Sequence, residues 1–69
     1  MQEYKAIVKQ QGPWWYGWIE EIPGVNCQEP SEAELMETLR ITLLEAIEMN
    51  RQDALKSADD DFTEVRIAV

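Results

Sequence analysis

The sequence predicts an α+β domain with the element order β-β-β-α-β, in which one helix packs on one face of a small antiparallel sheet. Three observations predict this class. Short segments with strand-like alternation precede Ser31, a helical pattern of apolar residues follows it, and one more alternating segment closes the chain. Runs of strands around a single helix are typical of α+β domains. At 69 residues the chain is short enough that residues 1–69 are expected to form one domain.

The first two predicted strands form a hairpin. Residues 3–9 alternate, with Tyr4, Ala6 and Val8 on one face. The turn signal Gly12-Pro13 separates them from residues 14–21, which are rich in aromatic strand formers. These features predict two adjacent antiparallel strands.

A second turn and a short third strand are predicted next. Pro23 fixes φ at the first central position of a turn and Gly24 accepts a positive φ at the next. Residues 25–28 are long enough for one short strand.

The helix is predicted to begin after Ser31. Ser31 is a favourable N-cap, and Glu34 three residues later completes a capping box. We expect the helix to end between Asn50 and Ser57. Its core face is predicted to contain Leu35, Met36, Leu39, Leu43, Ala46 and Ile47.

The closing segment is predicted to be a loop followed by a strand. Asp59-Asp60-Asp61 is read as a solvated loop, because three consecutive carboxylates do not converge on one metal ion. Residues 62–69 alternate, with Thr63, Val65, Ile67 and Val69 on one face, and are predicted to form the fourth strand.

The charge favours a basic protein as partner, and the alternative is that the acidity only maintains solubility. The chain has 14 Asp and Glu against 6 Lys and Arg, which gives a net charge of -8. This balance predicts no direct binding of nucleic acid and none of anionic membrane surfaces. No apolar run is long enough to span a membrane, and no signal peptide is recognised. The single cysteine, Cys27, is interpreted as a small buried hydrophobe. One free cysteine is typical of a cytoplasmic protein, so we expect the protein in the cytoplasm.

The residue inventory argues against an enzyme. The chain has no His, which is the commonest general base and a member of most nucleophile arrangements. No Gly-rich phosphate loop and no set of metal ligands can be assembled. We therefore predict no catalytic, cofactor-binding or metal-binding residues.

The aromatic cluster of the second strand is the candidate partner-binding site. Trp and Tyr are enriched at the energetic centres of protein interfaces, although they also fill cores. Alternation places Trp15 on one face and its neighbours on the other, and leaves open which face is buried. The predicted partner-binding residues are Trp14, Trp15, Tyr16, Trp18, Glu20 and Glu21.

A second apolar set lies on the helix, away from its core face. Ile41, Leu44 and Leu55 would face water in a monomer. Scattered exposed leucines are normal, and the alternative is that a second chain covers these three residues. The second reading predicts a homo-oligomer, a dimer or larger, with these residues in its interface.

The order of these motifs resembles the HicB antitoxin family over roughly residues 4–50. The resemblance is carried by the aromatic second strand, the stretch Glu21-Ile22-Pro23-Gly24-Val25, the Ser31 helix start with Glu34, and a helix of the Leu39-to-Ile47 type. The chain departs from the family pattern at Glu20, Val25, Glu29-Pro30 and Leu35. It also shows no counterpart of the C-terminal DNA-binding domain of many HicB proteins.

The resemblance implies a partly RNase H-like domain that binds and blocks a small, basic, mRNA-cleaving HicA-like toxin. It implies no catalytic residues in the antitoxin domain, and related single-domain proteins tend to form homo-oligomers. An alternative is a self-assembling structural or regulatory module without a toxin. A third is a small-ligand binder that uses an aromatic cleft between subunits.

Overall fold

The computed structural model describes residues 3–68 and contains three strands followed by one helix. Strands β1 (Ala6–Gln11), β2 (Trp14–Ile19) and β3 (Ile22–Glu29) form one antiparallel sheet in the order β1-β2-β3. Helix α1 (Glu32–Ala58) follows. The predicted α+β class, an antiparallel sheet followed by a helix, is confirmed.

The first hairpin closes at the predicted Gly12-Pro13 turn. Gln11 pairs with Trp14 across this two-residue loop, and Gly12 has a positive φ of 61°. Such loops need the left-handed conformation, which glycine adopts without steric cost. Strand β1 therefore extends two residues beyond the predicted end at residue 9.

The second reversal lies earlier than predicted. Ile19 pairs with Ile22, so the chain turns at Glu20 and Glu21, both of which were predicted to lie in the second strand. Pro23 and Gly24, predicted to form the turn, lie inside β3, where the register shifts and Gly24 has φ 92°. The predicted turn at Pro23-Gly24 is wrong, because the positive φ of Gly24 is used by an irregularity within the strand.

The helix begins as predicted. Ser31 is extended, with φ -142° and ψ 158°, and its hydroxyl accepts a hydrogen bond from the Glu34 backbone N–H at 3.2 Å. Glu32 and Glu34 lie in the first turn, where carboxylates interact favourably with the helix dipole. The helix ends at Ala58, one residue beyond the predicted interval.

The core lies between α1 and the sheet. Its four buried side chains are Ile19, Val25, Leu35 and Leu39. Gly17 lets the helix approach the central strand, because a Cβ atom there would lie 2.7 Å from Leu39 Cδ1 and 3.2 Å from Leu35 Cδ2. Partly buried residues around this centre are Tyr4, Ala6, Val8, Trp15, Ile22, Cys27, Leu43 and Ala46.

Met36, predicted to lie in the core, is 47% exposed, so this part of the prediction is wrong. Its position on the helix is at the margin of the buried face.

Helix α1 runs antiparallel to β3 and continues past the sheet. The Thr38 hydroxyl donates to Glu29 Oε2 at 2.7 Å, and four helix residues later Thr42 Oγ1 accepts from Cys27 Sγ at 3.7 Å. Ala46 is the last helix residue packed against the buried core, and residues 48–54 are all exposed. The helix has 27 residues, a length of about 40 Å, whereas the eight residues of β3 span about 26 Å. We call the end of the helix, residues 48–58, the helix overhang.

The predicted fourth strand is wrong for the residues that the structure describes. Residues 62–68 belong to no helix or strand, and Val69 lies outside the described range. The helix overhang explains this result. The segment turns back beside Leu55 and Ala58, with Phe62 and Val65 lining a shared cavity. In this position the segment lies alongside the helix end and not on its own sheet.

Candidate functional site

The face of the sheet opposite the helix carries a row of aromatic side chains. Trp14, Tyr16 and Trp18 alternate along β2 with Trp15, Gly17 and Ile19, which face the helix. Trp14 is 41% exposed and Trp18 is 38% exposed. We call this side of the sheet the aromatic face. It comprises Ile7, Lys9, Gln11, Trp14, Tyr16, Trp18, Asn26 and Gln28.

Strand pairing sets the neighbours of each aromatic ring. Trp18 lies between Ile7 of β1 and Asn26 of β3, and Tyr16 lies between Lys9 and Gln28. Cross-strand neighbours on one face of an antiparallel pair lie close enough for their side chains to touch. The rings are therefore held in a fixed row by the central strand, with an apolar or amide side chain on most flanks.

The carboxylates nearest the aromatic face lie at one end of it. Glu20 and Glu21 are exposed in the turn that follows β2, beyond the Trp18 end of the row. The Glu21 carboxylate also accepts the Lys5 backbone N–H at 2.9 Å, which holds this turn against the start of β1. Among the paired strand residues of the face, Lys9 is the charged one, and it lies beside the central ring, Tyr16. The site thus combines an aromatic row that has one cation at its middle with an acidic end.

The aromatic face contains a shallow depression rather than an enclosed pocket. The depression has a volume of about 260 Å³, below the range of roughly 300–1,000 Å³ of most small-ligand sites. Its lining includes Lys9, Gln11, Tyr16, Trp18 and Asn26. This shape is suited to contact with a second surface more than to the enclosure of a small molecule.

The structure separates the six residues that the sequence analysis grouped together. Trp14, Tyr16 and Trp18 share the aromatic face, with Glu20 and Glu21 at its end. Trp15 lies on the opposite face, half-buried against the core. Asn26 and Gln28 were not among the predicted residues, because the sequence pattern did not indicate which way the side chains of the third strand point. The alternation of β1 did place Ile7 and Lys9 opposite Tyr4, Ala6 and Val8, and it could have indicated their place beside the rings.

The second predicted site lies on α1. Ile41 is 49% exposed and Leu44 is 57% exposed, on the side of the helix away from the sheet. Leu55 is half-buried, because residues 62–66 fold back beside it. Ile41 and Leu44 are separated by one helical turn, whereas Leu55 lies three turns further along. The three residues therefore do not form one continuous patch.

The remaining chemistry of the described residues is sparse. Cys27 is half-buried and its thiol faces the Thr42 hydroxyl. Across residues 3–68 there is no cluster of three or more Cys, Asp and Glu side chains that could hold a metal ion. Over the same residues, α1 is too polar to cross a membrane.

Comparisons with protein-family models, with curated proteins and with solved structures found no match for this chain. The resemblance to the HicB antitoxins therefore depends on the motifs described above.

Proposed function

We propose that this protein is a non-enzymatic, HicB-like antitoxin of the cytoplasm that binds and neutralises a small, basic, mRNA-cleaving toxin. The contact surface is the aromatic face together with Glu20 and Glu21. In this proposal the sheet and helix are a partial RNase H-like scaffold, which holds the rings in place.

The exposure of the aromatic row is the observation that supports this proposal most directly. Trp14 and Trp18 are each about two-fifths exposed, on a face that α1 does not cover. Water contact is costly for side chains of this size, and Trp and Tyr are the residues most often found at the centres of protein interfaces. A partner that covers the row would remove this apolar area from water.

The charge distribution favours a basic partner. The net charge is -8, and none of the acidic residues lies on the aromatic face itself. Carboxylates at the end of a contact area can steer a cationic protein towards it without being desolvated in its centre. An RNA-cleaving protein is basic where it binds phosphate, so an acidic inhibitor suits it.

The same face is poorly suited to the other ligands considered. Aromatic rows on sheets also bind single-stranded nucleic acid, but such surfaces combine the rings with a positively charged groove. Here Lys9 is the only cation among the paired strand residues of the face. The shallow depression likewise disfavours a small-molecule site.

Co-expression tests the proposal. The probe is the small basic protein encoded by a neighbouring reading frame, produced alone and together with this chain. We expect the probe to inhibit growth and the chain to restore it. Changing Trp18 to Ala should weaken the complex at least about thirtyfold, because hot-spot truncations cost about 2 kcal/mol or more. Met49→Ala is the matched control, since Met49 is a large apolar residue 65% exposed on α1.

Two results would reject the proposal. One is a chain that neither binds the probe nor restores growth. The other is a complex that Trp18→Ala and Glu20→Lys leave as tight as the Met49→Ala complex, since binding would then use another surface.

Rising salt should slow association, because exposed charges are screened. An association rate that does not change with salt would remove the electrostatic part of the proposal.

A self-assembling module without a toxin is the second candidate. The observation that favours it is the exposure of Ile41 and Leu44 on the outer side of α1. If a second copy covers them, Leu44→Glu or Ile41→Glu should lower the oligomeric state in sedimentation experiments. A sedimentation profile that neither substitution changes would exclude this interface.

A further inference from the structure

We propose that residues 62–68 of one copy add as a strand to the free edge of β1 in a second copy. We call these residues the C-terminal arm. The inference depends on the geometry of the sheet and not on the identity of any toxin. It gives a pairing partner to a segment that has a strand-like pattern but does not pair with its own sheet.

Strand β1 offers a regular edge for pairing. The Glu20 N–H donates to the Lys5 carbonyl at 2.8 Å, which fixes the alternation of the β1 hydrogen bonds. The backbone N–H and C=O groups of the odd-numbered residues of β1 therefore form the hydrogen bonds to β2. Those of Ala6, Val8 and Gln10 point away from the sheet. Such outward-pointing groups are a template for a strand from another chain.

The opposite edge is less suitable. Strand β3 contains Pro23, and its register shifts near Gly24. Proline and bulges are the devices by which natural sheets prevent pairing at an edge. Helix α1 also lies over β3 and β2 rather than over β1. The β1 edge is therefore the one open to addition.

An apolar groove lies beside the β1 edge, between β1 and α1. Because the helix is displaced towards β3, the core-facing side chains of β1 are only partly covered. The groove has a volume of about 400 Å³ and is mainly apolar. Its lining includes Ala6, Ile19, Met36, Arg40 and Leu43. An added strand at this edge would place alternate side chains over the groove.

The C-terminal arm has the side chains that such a position requires. Val65 is 77% exposed and Ile67 is 83% exposed. They lie two residues apart, so in a strand both would face the groove, whereas Glu64 and Arg66 would face water. β-Branched residues also favour the extended conformation. Their present position beside the helix overhang leaves this apolar area in contact with water.

Local charges favour this contact although the whole chain is acidic. Three of the 6 Lys and Arg residues lie at the β1 edge or its groove, namely Lys5, Lys9 and Arg40. The arm follows directly after Asp59-Asp60-Asp61, and Glu64 and Arg66 balance within it. Glu37 also lines the groove and Glu21 lies beside Lys5, so the three cations reduce the acidity of this edge and offset some of the repulsion between two acidic chains.

Matched proline substitutions at the two edges test the proposal. Gln10 and Gln28 are both exposed, and the N–H of each points away from the sheet, one at the β1 edge and the other at the β3 edge. Proline removes such an N–H without breaking the sheet. We expect the full-length chain to sediment as a dimer. Gln10→Pro should weaken that dimer about tenfold or more, while Gln28→Pro should leave it nearly unchanged.

Substitutions in the arm give an independent measurement. Val65→Asp combined with Ile67→Asp should produce a monomer, whereas Glu64→Gln with Arg66→Gln should leave the dimer intact. Amide hydrogen exchange at Val8 and Gln10 should slow as protein concentration rises. Circular dichroism confirms that each variant is folded.

Three results would overturn the proposal. The first is a chain that remains monomeric at every concentration. The second is an equal response to Gln10→Pro and Gln28→Pro in folded variants. The third is a dimer that Leu44→Glu dissociates but the arm substitutions do not, which would place the interface on the helix instead.

Discussion

Strand β2 carries large aromatic residues on both faces, but α1 covers only one of them. On the covered face, Trp15 and Ile19 lie on either side of Gly17, which lets two leucines approach the backbone. On the aromatic face, Trp14 and Trp18 project from the same six-residue strand into water. One strand thus serves the core and a prospective interface at once.

On the helix-facing side of β2, the small residue Gly17 allows close packing of the helix. On the open side, the large residues Trp14 and Trp18 form the surface. Close packing against Gly17 leaves little space on the covered face, so substitutions there should change the stability of the fold. The aromatic face has no such packing on its outer side. Substitutions there should change binding and leave folding nearly unaffected. The following predictions test this division, beginning with the largest effect.

The largest effect is expected at Leu39, which is 1% exposed against Gly17. Leu39→Ala should lower the free energy of unfolding by about 2–5 kcal/mol, because it removes buried methyl groups and leaves a cavity. Leu44→Ala on the same helix is the control, with an expected change of about 0.5 kcal/mol or less, since Leu44 is 57% exposed. Urea denaturation measures both. Similar losses for the two variants would contradict the assignment of the core.

Gly17→Ala should change the free energy of unfolding by an intermediate amount, and in the direction opposite to the usual one. Replacing glycine by alanine within a strand is normally stabilising or neutral. Here the new Cβ would lie 2.7 Å from Leu39 Cδ1 and 3.3 Å from the Ile7 carbonyl oxygen. Gly17→Ala should therefore destabilise the fold by about 1–3 kcal/mol.

A second substitution identifies the cause. If the clash with Leu39 is responsible, Gly17→Ala combined with Leu39→Val should cost less than the sum of the two single changes. Strictly additive losses in urea denaturation would show that the contact with Leu39 does not explain the effect of Gly17→Ala.

The smallest effect is expected on the aromatic face. Trp14 and Trp15 are adjacent residues of the same type on opposite faces. Trp15→Gln should cost about 1.5–2.5 kcal/mol, roughly half the cost of truncating a fully buried aromatic residue, and Trp14→Gln about 0.5 kcal/mol. Thermal or urea unfolding measures the difference. If Trp14→Gln proves the more costly of the two, the aromatic row has a structural role.

The sequence predicted those parts of the molecule that depend on local patterns. Ser31 as N-cap, Leu35 and Leu39 as core residues, and the Gly12-Pro13 turn follow from side-chain chemistry and periodicity, and the structure confirms them. Which side of β2 would be covered could not be predicted, because alternation is symmetric with respect to the two faces. The contact of Gly17 with α1 decides it, and that contact joins residues distant in sequence.

The failures have a common physical origin. Pro23-Gly24 satisfies the rules of a turn and also those of a strand irregularity, and only pairing with β2 distinguishes them. Residues 62–68 have a strand pattern, but a pattern does not supply a neighbouring edge. For the same reason the aromatic residues of the candidate site were predicted but its full set of residues was not. Asn26 and Gln28 join the site through strand register.

The helix overhang also determines how far the following segment can reach. Its C-terminus is followed by Asp59-Asp60-Asp61, and carboxylates there oppose the helix dipole, with Lys56 as the basic residue of the last turn. Weakly packed helix ends are the first to unwind. Unwinding one turn of four residues would lengthen the connection by about 7 Å, because each residue advances about 3.3 Å when extended and 1.5 Å in the helix. Unwinding at the end of the overhang would therefore extend the reach of residues 62–68.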